Sequence, residues 1–325
     1  MKNMTFELSS TLMIILFCWI ILTIADLAVC GLLKLIFGIQ FKKAFLWGLL
    51  ALLLPPVMIS YGSIIERNCF RIKEVSIKSP DLPEAFEGYR IVHISDIHAR
   101  SFNGREKHLQ RAMDKINSLD PDIIAFTGDL ITMTPDELDS HVPALSSLKA
   151  KDGTFSVLGN HDYSMYSDTP AEARQRHLET LIEKEKALGW DLLMDENRII
   201  RRGTDSIAVI GVQNTSPSRH FPSKGNLTMA SEGTEGMYRI LLTHDPMHWE
   251  AEIIGQNYPL TLSGHTHAMQ FSLLGWSPSS LMFKQFRGLY SKNGQYLHVN
   301  PGLGETIFPA RIGVRPEITL ITLRR

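Results

Sequence analysis

Five short apolar runs along the chain each break off into a polar turn. Ile91-Val92-His93-Ile94-Ser95 leads into Asp96-Ile97-His98, and Ile123-Ile124-Ala125-Phe126-Thr127 leads into Gly128-Asp129. Thr154-Phe155-Ser156-Val157-Leu158 leads into Gly159-Asn160-His161-Asp162. Ile240-Leu241-Leu242-Thr243 leads into His244, and Leu260-Thr261-Leu262-Ser263 into Gly264-His265-Thr266-His267. Short apolar runs containing β-branched residues and closed by turn residues read as buried strands. Asp, Asn and His at their ends are poor core material. In α/β sheets ligands bind beyond the carboxyl ends of strands, so five strands ending this way predict one shared site.

Between these runs the periodicity changes. Gly104 to Leu119 places Leu109, Ala112, Met113 and Ile116 on a helical stripe, which Pro121 stops. Thr134-Pro135-Asp136-Glu137 has the signature of a helix start, and Pro170 to Gly189 reads as a long helix of mixed charge. Pro246 to Ile254 reads as a short one. Arg71 to Ile77 alternates as an edge strand. Asp191–Met194, Asn197–Arg201 and Ser206–Val212 read as successive strands, and Glu317–Leu323 as the last. Gly288–Ser291 and Gln295–Val299 form a hairpin across Lys292-Asn293-Gly294. Strands alternating with helices, followed by a run mostly of strands, predict an α/β fold. We expect two mixed β-sheets packed face to face and flanked by helices, an α-β-β-α sandwich.

The N-terminal part has a different pattern. Leu8 to Ala25 carries no charge, its apolar character resumes after Asp26 as far as Leu33, and Ala44 to Ile65 is again uncharged. Crossing a bilayer takes about twenty apolar residues, so two transmembrane helices are expected, with Pro55-Pro56 kinking the second. A charge within hydrocarbon is expensive, which places Asp26 at the interface. The expected division is a membrane anchor over 1–69 and a catalytic domain over 70–325. Lys34, Lys42 and Lys43 lie between the spans, and Arg67, Arg71 and Lys73 follow them. The loop lysines tip the positive-inside rule, by a narrow margin, towards an extracytoplasmic catalytic part of a multi-pass protein of the cell membrane.

Composition adds exclusions. With 33 basic against 34 acidic residues in 325, no global charge points to nucleic acid. The three cysteines, Cys18, Cys30 and Cys69, all lie in or beside the apolar part, so the larger part cannot build a cysteine zinc site. The strand ends instead offer Asp96, His98, Asp129, Asn160, His244, His265 and His267, an oxygen and imidazole set suited to manganese, iron or zinc. Seven ligands exceed what one tetrahedral ion needs and suit two divalent metal ions sharing a carboxylate. Two ions about 3.5–4 Å apart can clamp the attacking and leaving oxygens of an in-line displacement. Two carboxylates against two divalent charges leave such a site net positive, which favours a phosphoryl transition state.

These residues, taken in order, resemble the calcineurin-like metallophosphoesterases. Asp96-x-His98, Gly128-Asp129, Gly159-Asn160-His161-Asp162, His244 and Gly264-His265-Thr266-His267 are similar to that family's five blocks, over about residues 89–300. The resemblance implies a binuclear phosphoesterase in which a metal-bridged hydroxide attacks phosphorus. It implies that Asp96, His98 and His267 hold one ion, Asn160, His244 and His265 the other, and that Asp129 bridges them. His161 would be catalytic, contacting the phosphate or protonating the leaving oxygen, and Asp162 would orient a histidine or shape the turn. Gly128-Asp129 lacks the Asp-Arg-Gly element of the serine/threonine protein phosphatases, which argues against a phosphoprotein substrate. Ala268-Met269-Gln270 stands where membrane-associated members carry Gly-Gly-Gln, and the alanine is expected to alter the backbone there. The tail Asn300-Pro301-Gly302-Leu303-Gly304, with Pro309-Ala310-Arg311, resembles the same membrane-anchored branch.

The expected substrate is a phosphoester or pyrophosphate, with lipid-linked esters of the UDP-diacylglucosamine type as the alternative. Met269 to Phe286 is unusually apolar beside a metal site. Core packing is the simpler reading of it; an acyl-chain wall or a bilayer-touching surface is the sharper one. His93 reads as a hydrogen-bonded core histidine rather than an eighth ligand. Arg100 and Arg311 are candidates to reach a phosphate oxygen or to be ordinary salt-bridged arginines. An idle site on a scaffold protein would be signalled by a substitution among the seven ligands or His161, and all eight are present.

Overall fold

The computed structural model describes residues 2–325, with burial resolved from Leu8 onward. Its twelve strands are β1 (Arg71–Lys78), β2 (Arg90–Ile94), β3 (Ile123–Phe126), β4 (Gly153–Ser156), β5 (Asp191–Leu192), β6 (Glu196–Arg202), β7 (Asp205–Gly211), β8 (Tyr238–Leu242), β9 (Leu260–Ser263), β10 (Gly288–Lys292), β11 (Gln295–Val299) and β12 (Glu317–Arg324). They form two six-stranded sheets, ordered β1-β12-β2-β3-β4-β5 and β10-β11-β9-β8-β7-β6. Both are mixed. In the first, only β12 with β2 is antiparallel; in the second, β10 with β11 and β6 with β7 are.

The sheets face each other across a core built from alternate residues of their strands. Ile91, Ile123, Ala125 and Phe155 of one sheet meet Ile207, Val209, Ile240, Leu242, Leu260 and Leu262 of the other. The outward residues of β2 and β3 (Val92, Ile94, Ile124, Phe126) pack under Leu109, Met113 and Ile116 of the helix Glu106–Asn117 and Leu178 and Leu181 of the helix Ala171–Ala187. On the far side Trp249 and Ile253 cover Ala208, Ile210 and Leu241. Strands buried on both faces explain the continuous apolar runs of the sequence. The hairpin closes on Asn293-Gly294, both with positive φ, beyond the pair Lys292–Gln295, as the right-handed twist of its strands requires. Thr134 and Glu137 do form a capping box, but only a single 3₁₀ turn, Pro135–Leu138, follows it.

Two N-terminal helices are long and apolar enough to cross a membrane, Leu8–Phe37 and Phe41–Asn68, with mean hydropathies of 2.6 and 1.9. The second tightens into a 3₁₀ stretch, Leu49–Leu53, immediately before Pro55-Pro56, which occupy the first turn of the helix Leu54–Ile64. There proline costs no hydrogen bond. The first helix runs unbroken to Phe37, and Asp26 within it accepts from the Cys30 thiol and packs against Gly48 of the second helix. No side chain fits at Gly48 without striking that carboxylate.

One buried carboxyl outside the strand-end turns has a testable cost. Glu185, on the helix Ala171–Ala187, accepts from Ser156 Oγ of β4 at 2.7 Å, and its other oxygen has no partner among the described residues. Burial and the nearby Asp162 push this carboxyl up to about 8 from 4.5. The folded chain therefore keeps a proton that the unfolded chain releases. Stability from this group is fully present below about pH 4.5 and is lost as pH rises to about 8. Glu185→Gln is expected to flatten that slope and to gain on the order of a few kcal/mol at about pH 9, with little change at about pH 4. Denaturant titrations at the two pH values measure it.

Candidate metal centre

The centre is assembled by turns held in strained conformations. Asp96, His98, Asp129, His265 and His267 all have positive φ, between 44° and 73°. Non-glycine residues in this region cost about 1–3 kcal/mol each and persist where the surroundings dictate them. Here the surroundings are the turns themselves. A Cβ on Gly159 would lie 2.2 Å from an Asp129 carboxylate oxygen, and one on Gly264 would lie 2.3 Å from an Asp96 oxygen. The motif glycines are thus spaces into which the two carboxylates fit.

All seven candidate ligands and His161 come together. Asp96, His98 and His267 form one cluster whose ligand atoms lie within 4.8 Å of one another, and Asp129, His244 and His265 form another. His98 Nε2 is 3.0 Å from His267 Nε2, and His267 Nε2 is 3.2 Å from Asp96 Oδ1. Asn160 Oδ1 lies 2.8 Å from His265 Nδ1 and 3.1 Å from His244 Nε2. Asp129 Oδ2 sits between the clusters, 3.1 Å from His244 Nε2 and 3.7 Å from His98 Nε2.

Ring nitrogens crowded onto one another and onto carboxylates suit cations. His244 donates from Nδ1 to the Thr127 carbonyl at 2.7 Å, which turns the Nε2 lone pair into the site. Burial opposes charge on His244, but Asp129 and Asp96 outweigh it and pull its pKa up to about 10. A proton is held where the donor set would hold a divalent ion. Burial also raises Asp96 and Asp129, yet His267 beside the one and His244 and His161 beside the other hold both carboxyls below the ordinary range. His98 and His265 are pushed down by burial, His265 to about 4, so both are neutral at pH 7 as metal ligands must be.

The surrounding residues revise several expectations. Asp162 orients no histidine. Its carboxylate accepts four backbone N–H groups, from Asp129 and Gly159 at 2.8 Å, Leu130 at 2.9 Å and Ile131 at 3.1 Å, and so clamps two of the ligand-bearing turns together. Burial and Asp129 push it up to about 7 against those donors. Arg311 is held by carbonyls rather than by a carboxylate. It is fully buried and donates to the carbonyls of Gly304 and Pro301, with one nitrogen 3.5 Å from His267 Nδ1. Arg100 lines a separate cavity with Met133, Thr134 and Glu137. His93 is a core histidine, 2.9 Å from His298 Nδ1 and 3.0 Å from Thr127 Oγ1, and burial takes its pKa down to about 3. His298 is itself fully buried.

Ala268 and Met269 take φ of 47° and 48°, the left-handed turn that glycine adopts freely. Ala268→Gly is therefore expected to change stability by less than about 1 kcal/mol, in either direction, because relief of strain offsets the greater freedom of the unfolded chain. Thermal unfolding of the variant checks this. Sequence reasoning missed the aromatic rim. Tyr166 accepts from Asn160 Nδ2 at 2.9 Å and lies 4.3 Å from the His161 ring, while Phe221 and Phe283 meet His265 edge-on. Only the position of Tyr166, six residues beyond Asn160, hinted at it.

A family model described as calcineurin-like phosphoesterase matches residues 89–269, more than half of the chain and all five strand-end blocks. The chain belongs to the calcineurin-like phosphoesterases. Among relatives of this phosphoesterase, a zebrafish (Danio rerio) "transmembrane protein with metallophosphoesterase domain" is 32% identical over 289 residues, 85% of this chain and 62% of that one. The chain thus spans less than two thirds of that relative's length. An "uncharacterized metallophosphoesterase YkuE" of Bacillus subtilis is 31% identical over 81% of this chain and 89% of that one. The "UDP-2,3-diacylglucosamine pyrophosphatase LpxG" of Chlamydia trachomatis is 26% identical over 75% and 86%. The family uses divalent metals, and this member carries candidate ligand clusters for them.

Proposed function

We propose that this phosphoesterase is a two-ion hydrolase of phosphoester or pyrophosphate bonds, anchored by residues 1–69 as two membrane spans and catalytic over 70–325. The observation that carries this reading is Asp129, whose one carboxylate oxygen faces histidines of both clusters. Asp96, His98 and His267 would hold one ion and Asn160, His244 and His265 the other. Bound divalent ions supply Lewis acidity and bring the pKa of water towards neutrality.

The chain's own groups do the rest. His161 donates from Nδ1 to the Thr132 carbonyl at 2.8 Å, which orients the ring so that, as the imidazolium, it can pass its Nε2 proton to the leaving oxygen. Its backbone N–H holds Asp129 Oδ1 at 2.8 Å, so the bridging carboxylate and the proton donor move as one unit. The Tyr166, Phe221 and Phe283 rings narrow the approach and limit water around the reacting phosphorus.

A lipid-linked substrate is the narrower reading. The middle of Met269 to Phe286 is not core. Leu273, Leu274, Trp276, Leu281 and Met282 are exposed, Met269, Phe271 and Phe286 are half-buried, and Phe283 turns in against His265. An exposed apolar segment that ends at the site suits a substrate whose other end is hydrocarbon, as in the diacylated sugar nucleotide named for the chlamydial relative. The test is a substrate panel on the detergent-solubilised chain, with aryl phosphates, nucleotides and lipid pyrophosphates. Turnover that survives both chelator and Asn160→Ala would sink the hydrolase assignment. Equal turnover of lipid and water-soluble esters would remove the narrower one.

A further inference from the structure

We propose that a basic groove at the foot of the second apolar helix binds the headgroup of an anionic phospholipid, while the neighbouring loop enters the bilayer. The inference rests on the membrane-anchored reading and concerns a site separate from the metal centre. The groove has a volume of about 530 Å³, and Arg71, Lys73, Arg287 and Arg315 line it together with Leu274 and Glu66. None of its lining residues is a candidate metal ligand.

Its place in the fold selects the occupant. Glu66 lies two residues beyond the helix Leu54–Ile64, and Gly62 of that helix is seated against the Arg311 carbonyl so closely that no Cβ would fit. Glu66 accepts the Gly313 N–H at 2.9 Å, and Arg67 donates to the Pro309 carbonyl at 2.9 Å. The Ile312 carbonyl in turn accepts from Ser272, at the start of the exposed loop. The foot of the helix, the groove and the loop are therefore one rigid locus. Leu274 is completely exposed and Trp276 is 52% exposed, which continues the apolar surface of the helix onto the catalytic part. Tryptophan beside leucines at such a boundary suits the acyl–headgroup interface.

The groove keeps an excess of positive charge, four basic side chains against the carboxylates of Glu66 and Glu317. Among the described residues none of the four basic side chains has an ion-pair partner. The two carboxylates instead accept from neutral donors, Glu66 from the Gly313 N–H and Glu317 from the Thr319 hydroxyl. Three arginines and a lysine offer the planar and point-charge donors that a phosphodiester takes. Each basic side chain held at an anionic leaflet adds about fivefold to binding.

The full chain in lipid nanodiscs tests this by quenching of Trp276 with bromine-labelled acyl chains. The Trp276 share is the difference between the protein and Trp276→Phe. Brominated phosphatidylglycerol in a phosphatidylcholine background is expected to quench that share about tenfold more effectively than brominated phosphatidylcholine at the same fraction. R71Q/K73Q/R287Q/R315Q should erase the preference while aryl phosphate hydrolysis in detergent persists. Arg315→Gln alone, on an exposed side chain, should reduce it about fivefold if the combined variant misfolds. Equal quenching by both lipids overturns the headgroup site. Preference abolished by inorganic phosphate at constant ionic strength overturns the lipid assignment in favour of a free anion. No quenching of Trp276, with Trp19 and Trp47 still quenched, overturns the docking alone. No quenching of any of the three overturns the membrane reading beneath it.

Discussion

Replacing Asp162 with alanine is expected to destabilise the fold by about 3–5 kcal/mol and to abolish turnover with it. Four backbone N–H groups, from Asp129, Leu130, Ile131 and Gly159, lose their acceptor at once, in a place that water does not reach. All four belong to the turns that carry Asp129 and Asn160, three to the first and one to the second. The first is strained, with φ of 59° at Asp129, and the Asp162 clamp works beside the bonds that its carbonyls accept from the Asp96–Ala99 turn. Asp162→Asn is the sharper variant. It keeps the volume but offers one acceptor oxygen and sets an amide N–H₂ against backbone donors, so it should be nearly as costly. Denaturant unfolding of both variants measures the loss. A change of less than about 1 kcal/mol would show that the clamp is dispensable.

Asp129→Asn is expected to behave in the opposite way. The fold should stand, because an amide oxygen can still accept the His161 N–H that Asp129 Oδ1 now takes at 2.8 Å. The larger of the two charges that pull His244 up to about 10 should be gone, leaving Asp96, and the affinity for a cation between the clusters should fall with it. Hydrolysis should fall by about a thousandfold or more, equivalent to about 4 kcal/mol of transition-state stabilisation. Steady-state kinetics on an aryl phosphate, with unfolding as the control, measures it. The pair of variants separates the residue that builds the cage from the residue that uses it.

The chain spells out its fold wherever burial and periodicity agree. Strands buried on both faces leave continuous apolar runs, and β2, β3, β4, β8 and β9 lie within or beside those runs. The long helices start and stop within two residues of their predicted ends because Pro121, Pro170 and Gly189 mark them. The site was legible because each strand end exposes a side chain with no place in a core. What stayed hidden depends on partners distant in sequence. The contact of Asp26 with Gly48 is set by the packing of two helices, which no local pattern announces. Arg311 read as a phosphate ligand or a salt-bridged arginine, and nothing local announces that three carbonyls surround it. Met269 to Phe286 read as core packing or as an acyl-chain or bilayer surface, since apolarity does not say which side of a loop faces solvent.

The central claim is that turns from two sheets share one carboxylate to hold a pair of cations that cleaves a P–O bond. Its most direct measurement is a titration of the chelated full chain with manganese, counting bound ions and aryl phosphate hydrolysis in the same samples. Hydrolysis absent from the ion-free chain and rising to its maximum only with the second equivalent is the predicted result. Full hydrolysis in the ion-free chain, or a maximum reached at one ion with no further gain, would contradict it.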